Sequence, residues 1–211
     1  MGNYLNLGNS GFTTVRNDVY VDKTGLIKLI NETIDTPRCL TCISRPRRFG
    51  KSFAAKMLCA YYDKTCDSTE LFYDLEISKD KEYQKYLNKY DVIYLDMSSV
   101  IGATTPDDIV SYIIRNLTEE IVSVYPEVKR GESLFDTLAN TVTYTGNKIV
   151  MIIDEWDKSA EGAIAQIKQT HYPDAIKGFG GEILLVGINY DKDAPAGERK
   201  HTCVIEKYTE L

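Results

Sequence analysis

No apolar run in this chain of 211 residues approaches the roughly 20 residues that a membrane-spanning helix needs. A bilayer span is therefore not expected. Residues 1–15 lack a basic stretch followed by a long apolar one, and Asn6 stands where a myristoylation signal requires Ser or Thr. Neither export nor lipid anchoring is expected, and the expected compartment is the cytoplasm. Cysteine is sparse and odd in number, with Cys39, Cys42, Cys59, Cys66 and Cys203, which argues for reduced thiols over a disulfide framework. Cys39 and Cys42 form one Cys-x-x-Cys pair without a second pair at zinc spacing. They lie within Cys39-Leu40-Thr41-Cys42-Ile43, which reads as a buried strand, so both are expected to be structural. Histidine is rarer still: His171 and His201 are far apart, with neither a nucleophile arrangement nor a metal-ligand spacing. Repeats and low-complexity stretches are absent, which removes solenoids and disordered tails.

Acidic residues are missing from one long segment. Between Thr36 and Tyr62 there is no Asp or Glu, while Arg38, Arg45, Arg47, Arg48, Lys51 and Lys56 supply six positive charges. The net charge of -6 thus leaves -12 for the rest of the chain. Concentrated cationic charge in an acidic protein points to a dedicated site for a small anion, because a general polyanion binder spreads its charge over a face.

What is present alternates short apolar runs with amphipathic ones, the pattern of an α/β protein. Leu26, Ile30 and Ile34 predict a helix after Thr24 that ends before Pro37. The strand 39–43 follows, then a loop over 44–50. Ala54, Met57, Leu58, Tyr61 and Tyr62 recur at helical spacing, which predicts a helix from about Lys51 with one buried stripe. A second strand is predicted over Val92–Met97. Thr105, Pro106, Asp107 and Asp108 then predict a capped helix start, with Ile109, Ile113, Leu117 and Ile121 as its buried face. The third strand, 149–153, has no polar alternation and predicts a central position covered on both faces, ending in Asp154-Glu155. Beyond a boundary near Lys158, a helix over 159–170 and strands over 183–188 and 202–207 are predicted.

Between strand and helix lies Arg45-Pro46-Arg47-Arg48-Phe49-Gly50-Lys51-Ser52, the end of the phosphate-loop pattern GxxxxGK[ST] with Arg45 in place of the first glycine. Gly50 lets the backbone turn close to phosphate oxygens. Lys51 reaches the outer phosphates, and Ser52 supplies a Mg²⁺ ligand beside the free N–H groups of the helix start. Asp154 is the candidate second metal residue, and Glu155 the candidate base or orienter of an attacking water. Asp96 ends the other strand, at the edge where ligands of open α/β sheets collect, so it is a candidate to line the same crevice, with a simple strand-end carboxylate as the favoured reading.

Gly11-Phe12, Tyr20-Val21-Asp22-Lys23-Thr24, the segment 45–52, Leu71-Phe72 and Ile153-Asp154-Glu155-Trp156-Asp157-Lys158 together resemble the AAA-ATPase-like family over about residues 5–158. In that family the arginine at the first glycine position is the usual form. Trp156 stands where Tyr is usual, and Ser159 where Pro is frequent. The resemblance implies a P-loop NTPase-like, mostly parallel sheet flanked by helices, with residues 1–158 as an incomplete ATPase domain. Residues 159–211 resemble the end of the PD-(D/E)XK nuclease-like domain of full-length, prokaryotic members, through Gln166, Tyr172, the run 183–190 and the run 201–206. The nuclease front and the downstream ATPase parts, with sensor and arginine finger, are not matched. Glu127-Val128-Lys129 and Glu198-Arg199-Lys200 follow prolines and read as loop charges, so no nuclease centre is assigned.

The expectation is an ATP- and Mg²⁺-binding protein with weak or partner-dependent hydrolysis. Nucleic acid enters only by analogy with full-length relatives. Two other classes compete: a non-enzymatic remnant or interaction module, and a small P-loop kinase, against which Glu155 and the lack of a second arginine-rich segment count.

Overall fold

The computed structural model describes residues 3–43 and 49–155, together with the strands Ile183–Tyr190 and His201–Tyr208. The chain divides into two compact units, Met1–Asp154 and Glu155–Leu211. In the first, the helices are α1 (Ser10–Arg16), α2 (Gly25–Asn31), α3 (Lys51–Tyr62), α4 (Thr69–Phe72) and α5 (Tyr83–Tyr86). Strand β1 (Asp91–Asp96) follows, then α6 (Met97–Ala103), α7 (Ile109–Val124), α8 (Leu134–Thr145) and β2 (Ile149–Asp154). Short 3₁₀ turns cover Glu76–Lys79 and Pro106–Asp108.

The two strands pair in parallel, Asp91 opposite Ile149 and Asp96 opposite Asp154. Parallel neighbours need a long crossover, and α6, α7 and α8 form it. Alternation along the strands sends Val92 and Ile152 towards a core built on α3, and Ile93, Leu95 and Ile149 towards Leu117 and Ile121 of α7. The first unit is thus a layered α/β structure around a short parallel sheet. The outer edge of β1 is closed by the N-terminal segment: the Asn6 N–H donates to the Val92 carbonyl at 2.7 Å, and the Tyr94 N–H to the Tyr4 carbonyl at 2.8 Å.

Helix α3 starts where predicted, but its buried surface is broader than one stripe. Ala60, Tyr61 and Tyr62 are fully enclosed. The phenols remain satisfied, since Tyr61 donates to the Tyr83 carbonyl at 2.6 Å and Tyr62 to Oδ1 of Asn31 at 2.7 Å. Phe12 of α1 stacks on Phe72 of α4, with ring centroids 5.0 Å apart, and Tyr20 meets Phe12 edge-on.

Several expectations need correction. Residues 39–43 form no strand, and Leu40 is 94% exposed. Cys39 and Cys42 are exposed free thiols, not buried ones. An apolar run becomes a strand only where a neighbour takes up its backbone hydrogen bonds, and no described residue pairs with this one. Strand β2 is not covered on both faces: Met151 and Ile153 are 43% and 45% exposed, because the crossover layer packs over β1 and only the start of β2. The helix predicted from Pro106 begins as a 3₁₀ turn, and the α-helix itself starts at Ile109.

In the second unit β3 (Ile183–Tyr190) and β4 (His201–Tyr208) form an antiparallel pair, with Ile183 opposite Tyr208 and Tyr190 opposite His201. Both strands were predicted. The helix predicted over 159–170 lies outside the described residues. Among the described residues, no helix is long and apolar enough to cross a membrane.

Candidate functional site

Gly50 precedes α3 in the left-handed conformation, with φ 73° and ψ 39°. An L-residue with a side chain is strained there, so glycine is what the turn requires. A Cβ on Gly50 would in addition lie 2.5 Å from Nζ of Lys23. Lys51 and Ser52 are the first two residues of the helix, and the Gly50 carbonyl accepts the first helical hydrogen bond, from Ala54, at 3.0 Å. No acidic side chain occupies this first turn. The helix start therefore combines its outward N–H groups, its positive dipole end and the Lys51 ammonium. Arg45, Pro46, Arg47 and Arg48 lie outside the described residues; Phe49 is 62% exposed.

The segment 20–24 is fixed against this turn by its own hydrogen bonds. Oδ1 of Asp22 accepts from the Thr24 N–H at 2.8 Å and from its hydroxyl at 2.7 Å, while Oδ2 accepts from the Glu76 N–H at 2.8 Å. Burial pushes the Asp22 carboxyl up, but these donors outweigh it and hold the group below the usual carboxylate range. Thr24 is fully buried, and its hydroxyl oxygen accepts from the Ile77 N–H at 3.1 Å. Held in this way, Lys23 extends to the residue before Gly50 and donates from Nζ to the Phe49 carbonyl at 2.5 Å.

Helix α3 packs on β2, which ends in Asp154. Asp154 is 6% exposed, and the Tyr94 hydroxyl donates to its Oδ2 at 3.2 Å. Burial, with Asp154 and Asp96 nearby, pushes the Tyr94 phenol up, so it stays a neutral donor. Cys59 on α3 is also pushed up, by burial first and then by the carboxylates of Asp63 and Asp154. Asp96 has a different task from Asp154. It caps α6, accepting from the Ser98 N–H at 2.9 Å and from the Ser99 hydroxyl at 2.9 Å, in agreement with a structural reading. Glu155, directly after the strand, has φ 60°. A glutamate in the left-handed region is uncommon, and such backbone outliers concentrate at functional turns.

Of the residues predicted from sequence, the fold places Gly50, Lys51 and Ser52 at the head of the helix that covers β2, and Asp154 at the carboxyl end of that strand. Ser52 and Asp154 are hard oxygen donors, the chemistry that suits Mg²⁺ sharing a site with phosphate oxygens. Among the described residues, no three His, Cys, Asp or Glu side chains converge on a point. Glu127 and Lys129 are exposed in a loop. Lys23 and Tyr94 were not singled out for a role. The signal for Lys23 lay in the specific Tyr-Val-Asp-Lys-Thr block; that for Tyr94 was a hydroxyl-bearing residue within an otherwise apolar strand.

A family model described as predicted AAA-ATPase matches residues 6–186, running past Lys158 into β3. Neither the curated proteins nor the solved structures contain a match.

Proposed function

Because the chain belongs to the AAA-ATPase-like family, we propose that it binds Mg-ATP at the start of α3, with weak or partner-dependent hydrolysis. One observation carries the reading: a left-handed Gly50 delivers Lys51 and Ser52 to the first turn of a helix that packs on the strand ending in Asp154. Lys51 would neutralise the outer phosphates while the first-turn N–H groups hold their oxygens. Ser52 and Asp154 would hold Mg²⁺, which supplies charge neutralisation between phosphates when bound. Glu155 would orient the attacking water and accept its proton. We read residues 1–158 as the P-loop domain and 159–211 as the end of a nuclease-like domain without its metal-binding core. Turnover is expected to be slow, because no residue is assigned as sensor or arginine finger, and those supply transition-state charge.

The irregular, exposed segment 39–43 and the open face of β2 favour a second reading, a non-enzymatic module with an incomplete nucleotide pocket. Isothermal titration with Mg-ATP separates the two. Micromolar binding that Lys51→Ala abolishes supports the first; no heat from a protein with a cooperative thermal transition supports the second.

A further inference from the structure

Asp154 is the last residue of β2 in register with β1, and the chain leaves the strand directly after it, at the left-handed Glu155. Its carboxylate is buried and needs polar partners, while the strand ladder engages only backbone groups. Strand β1 supplies one such partner. Tyr94 lies opposite Ile152 in the parallel register, which puts Asp154 two residues further along the neighbouring strand, on the same face. That face is the one covered by α3: Tyr94, Val150 and Ile152 all pack on the core that contains Met57, Leu58 and Cys59. The diagonal step between the two positions spans about 8 Å, which a phenol bridges and a serine or threonine hydroxyl would not. The Tyr94 hydroxyl accordingly donates to Oδ2 of Asp154 at 3.2 Å. Asp96, directly opposite Asp154, does not take this part, because both of its oxygens are engaged at the start of α6.

We propose that Tyr94 is a positioning residue for the metal carboxylate: its hydroxyl fixes the orientation in which Asp154 would meet Mg²⁺. The inference rests on the Mg-ATP reading and adds to it a residue from the neighbouring strand. Mg²⁺ demands near-ideal octahedral geometry, so a carboxylate free to turn about its side-chain torsions binds it less well than one that is held. A hydrogen bond from outside the ligand set is a general means of holding such a group, and its loss costs about 10–100-fold in metal affinity. The ring and the hydroxyl of Tyr94 have separable tasks. The ring packs on the core beneath α3, which phenylalanine would do as well, and the run Val92-Ile93-Tyr94-Leu95 is otherwise apolar. The hydroxyl is what packing does not require, and Asp154 is its acceptor. In this role Tyr94 touches neither phosphate nor metal; it acts through Asp154.

The test measures ATP binding by calorimetry, first in EDTA and then over a series of Mg²⁺ concentrations, for wild type, Tyr94→Phe, Asp154→Asn and the double variant. Tyr94→Phe keeps the ring, so its metal-free ATP affinity is expected to stay within about twofold of wild type. The Mg²⁺ concentration that gives half of the metal-dependent gain is expected to rise about tenfold or more. In the Asp154→Asn background the same substitution is expected to change nothing further, because the hydroxyl then has no metal carboxylate to orient. An unshifted Mg²⁺ midpoint in Tyr94→Phe overturns the proposal. Equal loss of ATP affinity with and without Mg²⁺ also overturns it, since that is what a purely structural role gives, and so does an additive shift in the double variant. Wild type that binds ATP without any gain from Mg²⁺ removes the metal role of Asp154 and this inference, and leaves the phosphate site standing. Wild type that binds no ATP takes the Mg-ATP reading down with it.

Discussion

Nζ of Lys64 stands 2.8 Å from Oδ2 of Asp91, a carboxylate with no exposed surface. Asp91 opens β1, and its other oxygen accepts from the Tyr125 hydroxyl at 2.6 Å and from the Asn6 amide at 2.7 Å. Three segments distant in sequence, those of Asn6, Lys64 and Tyr125, are therefore tied to one buried charge. Removing one partner of a buried ion pair leaves the other uncompensated, which costs about 3 kcal/mol or more. Lys64→Met is expected to lower unfolding free energy by roughly that amount. Adding Asp91→Asn should restore part of the loss, since the orphaned charge is then gone. Urea titration of the single and double variants checks the sign: additive losses would show that the pair is not coupled.

Gly50 tests the geometry of the candidate site without altering its charges. Alanine at φ 73° costs about 1–2 kcal/mol in the left-handed region, and its Cβ meets the Lys23 ammonium. The variant is expected to unfold at a lower temperature and to lose Mg-ATP affinity at least tenfold. Lys23→Gln, which keeps the backbone free, should weaken ATP less and leave the thermal midpoint almost unchanged. A Gly50→Ala protein with wild-type affinity would mean that the turn before α3 does not approach phosphate.

These two tests bear on what could be read from the sequence. Helical spacing from Ala54 to Tyr62 located α3, and unbroken apolar runs located β1 and β2, because burial on a regular element leaves a periodic trace. The family blocks were legible as blocks, though not by role. Phe12 and Phe72 form a packing pair, whereas Lys23 reaches the Phe49 carbonyl beside Gly50, and both look alike as letters. Residues 39–43 misled because strand formation depends on a partner that no local pattern encodes. Helix α6 was not anticipated, since its start depends on the Asp96 cap, and Asp96 also reads as a strand end. The hydrogen bond from Tyr94 to Asp154 was invisible because the two residues meet only once β1 and β2 pair in parallel.

The proposed role of Glu155 can be tested by separating binding from chemistry. Glu155→Gln keeps the side chain's shape and removes its ability to accept a proton. It is expected to bind Mg-ATP within about twofold of wild type while slowing phosphate release about 100-fold, the usual scale for a general base. Measuring both on one preparation is decisive. An unchanged rate would exclude Glu155 as the residue that activates water.

Asp22 predicts a specific acid limb. Its folded-state pKa is depressed, so its contribution to stability is present above the unfolded value of about 4 and is lost as pH falls through the folded value. Wild type should therefore lose thermal stability below about pH 4 more steeply than Asp22→Asn. The gap between the two midpoints is expected to be constant from pH 7 to pH 5 and to shrink below that window. A constant gap down to pH 2.5 would mean that the Glu76 and Thr24 donors do not stabilise the ionised form.

Cysteine chemistry reports directly on residues 39–43. Cys39 and Cys42 are exposed, whereas Cys59 is buried on α3 and its thiol is pushed up, chiefly by burial. A thiolate that is both hard to form and inaccessible reacts slowly. Iodoacetamide at pH 8, followed by peptide mapping, is thus expected to label Cys39 and Cys42 quickly and Cys59 only after denaturation. Had 39–43 been a buried strand, all three would be protected together. Adding Mg-ATP sharpens the test, because Cys42 lies eight residues before Gly50 in sequence. Slower labelling of Cys39 and Cys42, with Cys59 unchanged, would show that nucleotide shields the two thiols, as expected if phosphate binds at the proposed site. Unchanged rates would show that nucleotide leaves the exposure of Cys39 and Cys42 as it is in the free protein.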